Sequence, residues 1–465
     1  MGVEGLNEYF VFGVEELDRR FTSAIKLGGI VAIVGGPGTG KTTLASRICF
    51  INASRGYPCV YISTQEFKEK HYTNMLGLGM NFQELEDRGL MKFINVPIPG
   101  TLEHVEDLFN LITNVVNEMK ARILIIDSIT PVLRVLASDI SRRAWLQNFI
   151  YTLSKALRGV LVLTVEILDG DASVSDVEYV ADALITLRQE QTHGLLVRKA
   201  HLVKMRGAQI EVSEVPYTIR EGFGVEFWFP PVLAEVPPPS SETLRMPCKA
   251  LSESLGNLPK GSYVYVAHEV RPTYQLWVPL LASLAKLNRL GKLLIVSYSS
   301  SPSEWFGNAL NALISSGVPK DLAEEIIKTY FEVKSLNPAS YSVDELYALE
   351  LSLAKALKPS VIIFWEANVP EFIHMSHDIS KYSFYLTNQL FLLKSLGITT
   401  FRFATALNEE IYKVTSFLAT ASLKYLIDPD KGSHLLIWSN ERIKKLHEKD
   451  LISCVEECAS ILKKG

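Results

Sequence analysis

The chain has 465 residues, room for two to four domains at about 100 to 200 residues each. It is 48% hydrophobic and 21% charged, enough apolar material for packed cores, which excludes a disordered or fibrous chain. Lys and Arg total 47 against 51 Asp and Glu, a net charge of −4, so no bulk positive field draws the protein to nucleic acid or anionic lipid.

No run approaches about 18 apolar residues, and Met1 to Tyr9 is acidic, so the sequence predicts neither a membrane span nor a signal peptide, and a cytoplasmic location. Cys49, Cys59, Cys248, Cys454 and Cys458 are scattered and form no C-x-x-C knuckle, so no metal is expected on them. Cys454 and Cys458, four apart in a helical tail, read as free thiols.

In chain order, strand-type runs alternate with helical ones. The pattern predicts a strand at Ile30 to Val34, a helix from Lys41, strands at Val60 to Ser63 and Leu90 to Val96, and a helix near Thr101 to Lys120. A strand Ile123 to Asp127, a helix Ser141 to Leu157 and a strand Val160 to Val165 follow, then antiparallel edge strands within Ala183 to Arg188, Gly194 to Lys204 and Tyr217 to Phe229. Clustered prolines from Phe229-Pro230-Pro231 to Pro237-Pro238-Pro239 then predict an extended linker. Beyond it the same order recurs, with strands at Tyr263 to Ala267, Leu293 to Ser297, Phe331 to Val333, Val361 to Trp365 and Thr399 to Phe403, and a polar helix Asn440 to Lys464 closes the chain. The expectation is an α/β protein of two tandem domains, 1–228 and 247–465, joined by a linker 229–246, each a mostly parallel twisted sheet flanked by helices.

Between the first strand and its helix, Gly35-Gly36-Pro37-Gly38-Thr39-Gly40-Lys41-Thr42-Thr43 satisfies G-x-x-x-x-G-K-[ST]. Glycines let successive N–H groups turn inward around a phosphate at a helix N-terminus. Lys41 would reach the β- and γ-phosphates, and the Thr42 hydroxyl would ligate Mg²⁺. Asp127, ending the apolar run Ile123 to Ile126, is the second candidate for the metal site. For orienting or deprotonating water, Gln65 can only orient, whereas Glu66 can do both; the alternative for Glu66 is a helix-start carboxylate.

These segments resemble the RecA superfamily, and its KaiC-like branch more than the RadA recombinases. Phe12-Gly13-Val14-Glu15-Glu16-Leu17-Asp18 is similar to the lead-in that this family carries before its P-loop. Arg198 to Gly207 ends in the K-x-R-G pattern of KaiC-like proteins. The resemblance covers roughly residues 10 to 228 and implies ATP as the nucleotide, homo-oligomeric assembly with a ring as one form, and Lys204 and Arg206 reaching the γ-phosphate of a neighbouring subunit. Such cations offset charge on the transferred phosphoryl group; the alternative is solvated cations on an edge strand. The family usually carries two acidic residues where this chain has Gln65-Glu66, a departure that bears on turnover rather than on binding.

For nucleic acid, Leu168 to Tyr179 carries four acidic residues and no Lys or Arg, and Arg142-Arg143 is one of two local basic clusters, so binding to DNA is not favoured. Laying Gly29 to Thr43 opposite Gly261 to Gln275 replaces the phosphate loop by Ala267 to Tyr274, without its glycines, lysine or metal-binding hydroxyl. Trp365 falls opposite Asp127, and Ser299-Ser300 opposite Gln65-Glu66. The second half is therefore expected to be a degenerate copy serving a protein partner, with Trp277, Trp305, Trp365, Phe372 and Tyr385 in its core. The function expected is an ATP-binding regulator with weak Mg²⁺-dependent ATPase activity. The alternatives are a non-hydrolysing ATP-binding scaffold, with a looser resemblance to gas-vesicle regulatory P-loop proteins, and a recombinase-like DNA-repair accessory.

Overall fold

The computed structural model describes residues 10–21, 25–136, 140–167, 174–192, 194–230, 232–270, 272–375, 379–406, 409–428, 432–439 and 442–464. The chain divides into two compact units, Met1–Phe229 and Pro230–Gly465. Among the described residues no helix is long and apolar enough to cross a membrane.

The first unit holds β1 (Gly29–Gly35), β2 (Cys59–Ser63), β3 (Met91–Asn95), β4 (Ile123–Asp127), β5 (Val160–Glu166), β6 (Ala183–Thr192), β7 (Leu195–Met205), β8 (Glu214–Arg220) and β9 (Gly224–Phe227). They form one sheet in the order β3-β2-β4-β5-β1-β6-β7-β8-β9. Neighbours from β3 to β6 run parallel, and β7 to β9 extend the sheet antiparallel. Every position of β1, β2 and β4 is buried, because helices cover both faces of a parallel sheet. Strand alternation sends Val31 and Ile33 into one core with Leu44 and Ile48, and Ile30, Ala32 and Val34 into the other with Phe109 and Ile112.

The lead-in clamps the helix that follows the P-loop, Lys41–Ser54. Arg47 Nε donates to the Gly13 carbonyl at 2.8 Å, and the Asn52 carboxamide bonds both the N–H and the carbonyl of Val11. Asp18 accepts from the Phe12 N–H; burial raises its carboxyl to about 6 against the opposing pull of such backbone donors.

The second unit holds a short pair, β10 (Thr243–Leu244) with β11 (Leu258–Pro259), and a larger sheet. The larger sheet contains β12 (Tyr263–His268), β13 (Leu293–Ser297), β14 (Phe331–Ser335), β15 (Val361–Trp365), β16 (Thr399–Thr405), β17 (Ala421–Asp428), β18 (Gly432–Ser439) and β19 (Arg442–His447). Its order is β14-β13-β15-β16-β12-β17-β18-β19, the order of the first sheet with, among the described residues, no counterpart of β9. Each unit is thus a mostly parallel sheet packed between helices, the same plan in tandem.

Strand pairing fixes the equivalence of the two units. Ile123 pairs with Val160 and Ile30 with Leu161, as Val361 pairs with Thr399 and Tyr263 with Thr400. Ile30 therefore matches Tyr263, Gly35 matches His268, Lys41 matches Tyr274 and Thr42 matches Gln275. This is one residue later than the sequence match of Gly29 to Gly261. The true counterpart of Gly261 is Gly28, and both take positive φ, 81° and 78°, just before their strand.

Three further expectations change. The tail is not one polar helix: Arg442–His447 pairs antiparallel with β18, and the helix begins at Glu448, where the His447 N–H donates to Asp450. Cys454 is not a free thiol but is bonded to Cys248, and Cys49 is bonded to Cys59; Cys458 alone is free, its thiol pushed up to about 12 by burial. The Cys248–Cys454 pairing has no signature in spacing, since residues 206 apart in the chain meet only through the fold. Phe372 is 67% exposed rather than core, whereas Trp277, Trp305 and Trp365 are buried.

Candidate functional site

The parallel strands β1, β2, β4 and β5 end at one edge of the first sheet, and the candidate residues converge there. The loop after β1 admits little but glycine at its two ends. A Cβ on Gly35 would stand 2.6 Å from the Leu187 carbonyl oxygen, and one on Gly40, at φ 92°, would stand 2.5 Å from Ile219 Cδ1. The Tyr217 hydroxyl donates to the Thr39 carbonyl, and Thr39 Oγ1 donates to Gly36 O at 2.8 Å, which pins the loop from both sides. Lys41 Nζ donates to the same Gly36 carbonyl at 2.9 Å. Lys41 as a whole is 7% exposed. Burial pulls it below the ordinary lysine value, and the charges of Glu166 and Asp127 oppose that pull.

Asp127 ends β4 and is held rigidly: Oδ1 accepts from Thr164 Oγ1 and Oδ2 from the Tyr61 hydroxyl at 2.8 Å. It lines a cleft of about 420 Å³ with Pro37, Gly38, Gly40, Lys41, Thr42 and Thr43. Among the described residues no group of three or more His, Cys, Asp or Glu could by itself hold a metal ion. One carboxylate and one hydroxyl beside a phosphate cradle is the donor set of Mg²⁺ bound jointly by protein and phosphate oxygens, so Thr42 and Asp127 fit that ion.

Gln65 and Glu66 line the same cleft. Strand alternation would send them opposite ways, but β2 ends at Ser63, whose Oγ accepts from both the Gln65 and Glu66 N–H groups and turns the chain. Glu66 Oε1 lies 3.3 Å from Lys70 Nζ and Oε2 lies 3.5 Å from His71 Nδ1. Gln65 Nε2 donates to Glu166 Oε1 at 3.0 Å. Glu166, from the end of β5, thus brings to the cleft a third carboxylate, beside Asp127 and Glu66, that sequence reasoning missed. The available signal was the apolar run Val160 to Val165 ending in an acid, the pattern that singled out Asp127.

Lys204 and Arg206 are not brought to this cleft. Lys204 pairs with Leu184, which pairs with Ala32, and the Arg206 N–H donates to the Asp182 carbonyl, level with Ile30. Arg206 therefore stands about 17 Å along the strands from Gly35, at about 3.3 Å per residue, toward the opposite edge. There its guanidinium lies 3.1 Å from Asp182 Oδ1, and Lys204 Nζ donates to the Glu178 and Tyr179 carbonyls at 3.3 and 3.4 Å. Residues 168–173 and the side chains of Arg142, Arg143 and Asp176, used above against DNA binding, lie outside the described residues.

In the second unit the equivalent edge is filled. The Tyr274 ring, at Lys41's place, lies 4.8 Å from that of Trp365, at Asp127's place, and 6.0 Å from Trp305. His268, at Gly35's place, accepts from Trp277 Nε1 at 2.7 Å. Aromatic packing thus occupies the edge that carries the P-loop in the first unit.

Residues 11–230 match a family model described as the KaiC ATPase. The chain is 27% identical over 233 residues to a UPF0273 protein of Methanopyrus kandleri, spanning 46% of this chain and 90% of that one. It is 26% identical over 198 residues to the circadian clock protein KaiC3 of Synechocystis, spanning 42% of this chain and 39% of that one. Against the circadian clock oscillator protein KaiC of Picosynechococcus it is 26% identical over 213 residues, 45% of this chain and 41% of that one. The chain thus spans about two fifths of the length of these two clock proteins.

Proposed function

We propose that the chain, whose residues 11–230 match the KaiC ATPase family model, is a KaiC-like P-loop protein of the RecA superfamily that binds Mg·ATP in the first unit and hydrolyses it slowly. In this reading the loop Gly35 to Gly40, Lys41 and the hydroxyls of Thr42 and Thr43 hold the phosphates, and Thr42 and Asp127 hold Mg²⁺. The ion would neutralise charge on the β- and γ-phosphate oxygens. Glu66 would accept the proton of the attacking water, with Gln65 orienting it. Lys204 and Arg206, remote from their own cleft, would serve the cleft of a second copy, so that turnover requires a homo-oligomer. The second unit would present a surface to a protein partner, with nucleotide state governing that contact.

The observation that carries this reading is the convergence of Lys41, Thr42, Asp127 and Glu66 on one cleft behind a loop whose two ends, Gly35 and Gly40, have no room for a Cβ. Phosphate release by wild type, Lys41→Ala and Glu66→Gln tests it: Lys41→Ala should abolish binding, and Glu66→Gln should lower turnover about 100-fold or more while ATP still binds. Turnover unaffected by Lys41→Ala would overturn the assignment. Light scattering with and without Mg·ATP tests the assembly, and a strict monomer would leave Lys204 and Arg206 without a site. A second reading, a non-hydrolysing ATP-dependent regulator, is favoured by Gln65 in place of an acid, and tight ATP binding without turnover would establish it.

A further inference from the structure

Behind the cleft, three fully buried polar side chains from three different elements connect Asp127 to Glu66. Tyr61 of β2 donates its hydroxyl proton to Asp127 Oδ2 at 2.8 Å. Ser46, on the helix after the P-loop, donates to the Tyr61 oxygen at 3.4 Å and lies 3.2 Å from Nε2 of His71, on the helix Lys68–Gly77. An ionised carboxylate only accepts, so the tyrosine proton points to Asp127 and the serine proton to the tyrosine oxygen. Ser46 Oγ is then left to accept from His71 Nε2–H, which fixes that tautomer and leaves Nδ1 a bare acceptor. Nδ1 is buried without a hydrogen-bond partner and faces Glu66 Oε2 at 3.5 Å. Two bare lone pairs repel at this distance, whereas one proton between them makes a charge-assisted hydrogen bond.

The second unit lacks the chain. Ile295 stands at the place of Tyr61 and Pro279 at that of Ser46, so these polar residues are buried only in the unit that has a phosphate loop.

We propose that His71 is a positioning residue for hydrolysis, sharing with Glu66 the proton taken from the attacking water. This rests on Glu66 being the proton acceptor. In the step, the bond from the water oxygen to the γ-phosphorus forms as the bridging P–O bond breaks, its electron pair leaving on ADP. The water proton passes to Glu66, is held between Oε2 and Nδ1, and returns to solvent on product release. The groups facing His71 are Glu66 after β2, Tyr61 of β2 and the Asp127 charge of β4, with the rings of Tyr72, Phe82 and Phe93 closing the apolar side. Burial pulls the imidazole below its ordinary value, against the two carboxylates, so the resting ring is neutral and can accept.

The test uses the full chain with isotope-labelled histidine, the His71 signals being assigned by their loss in His71→Gln. Nitrogen NMR across pH should show the Nε2–H tautomer in wild type, a titration shifted by Glu66→Gln, and a mixed tautomer in Ser46→Ala. Alongside it, His71→Gln should lower kcat about 10- to 100-fold with KM for Mg·ATP within about threefold, and displace the acid limb of the kcat profile. A wild-type Nδ1–H tautomer, a titration indifferent to Glu66→Gln, or a kcat profile of unchanged shape overturns the proposal. Wild type without turnover but with the expected tautomer overturns the Glu66 reading instead, so the two failures are distinguishable.

Discussion

Alanine at Gly40 probes the geometry on which nucleotide binding rests. Gly40 sits at φ 92°, a conformation that costs an L side chain about 1–2 kcal/mol. The new methyl would also stand 2.5 Å from Ile219 Cδ1, with Ile219 Cγ1 next at 3.7 Å, so the overlap is confined to one terminal methyl. Overpacking of that kind costs about 1–3 kcal/mol. Gly40→Ala should therefore destabilise the first unit by roughly 2–5 kcal/mol, and weaken Mg·ATP at least about tenfold as the loop N–H groups turn from the phosphates. Ile219→Val removes Cδ1 itself, at about 0.5–1.5 kcal/mol. The double variant relieves the overlap but not the backbone strain, so it should be more stable than the two single losses predict by about 1–3 kcal/mol. Urea unfolding without nucleotide and titration with a fluorescent ATP analogue measure both quantities. Losses that add within about 0.5 kcal/mol would refute the contact.

Two further predictions concern the second unit. Arg402 is buried with Glu371 and Glu350; its Nη2 lies 3.3 Å from Glu371 Oε1, and Gln389 bridges it to Glu350. Burial raises both carboxyls against the pull of Arg402, so the folded unit keeps protons that the unfolded chain releases. That stability is present below the ordinary glutamate range and lost as pH rises through the raised values, at up to about 1.4 kcal/mol per pH unit for each carboxyl. Arg402→Met should cost about 3–5 kcal/mol and steepen the loss; urea midpoints from pH 5 to 8 followed by tryptophan fluorescence check this, and a flat dependence refutes it. The Cys248–Cys454 bond closes a loop of 206 residues. Loop-closure entropy at that length is worth about 5 kcal/mol, so reductant should lower the unfolding midpoint of the second unit, and no shift would mean that the bond does not form in solution.

The parts legible in the sequence were those written by local pattern. Val160 to Val165 reads as a buried strand, and Gly35 to Thr43 as a phosphate loop, because a period or spacing carries the physics. What escaped depends on pairs far apart in the chain. Tyr61, Ser46 and Thr164 are ordinary polar residues among apolar neighbours, His71 lies in the polar run Lys68 to Asn74, and only the packing of β2, β5 and two helices shows that they are wired to Asp127 and Glu66. Strand alternation separates Gln65 from Glu66 only while the strand continues, and Ser63 ends it before them. Element order sets Gly261 opposite Gly29; ladder hydrogen bonds, which the sequence does not display, move the match to Gly28.

The two edges explain why one unit keeps nucleotide chemistry and the other does not. At Gly35 the backbone passes so close to the Leu187 carbonyl that a Cβ has no room, yet His268 stands at the matching place. The backbones run alike to this point, the His268 carbonyl accepting from the Ala406 N–H as the Gly35 carbonyl accepts from the Ile167 N–H, so the difference lies in the side chain that His268 adds at the edge. The bulk then accumulates consistently: His268 takes the Trp277 N–H, and Tyr274 packs on Trp365 and Trp305 where Lys41 and Asp127 would need a hydrated, charged cleft. Burying these rings removes several hundred Å² of apolar surface from water at about 25 cal/mol per Å², which the first unit forgoes to keep its edge open. Loss of the site and gain of a packed edge are thus one change, and the second unit is free to be stable in a way that the first, with a buried lysine and a cleft to leave unfilled, is not.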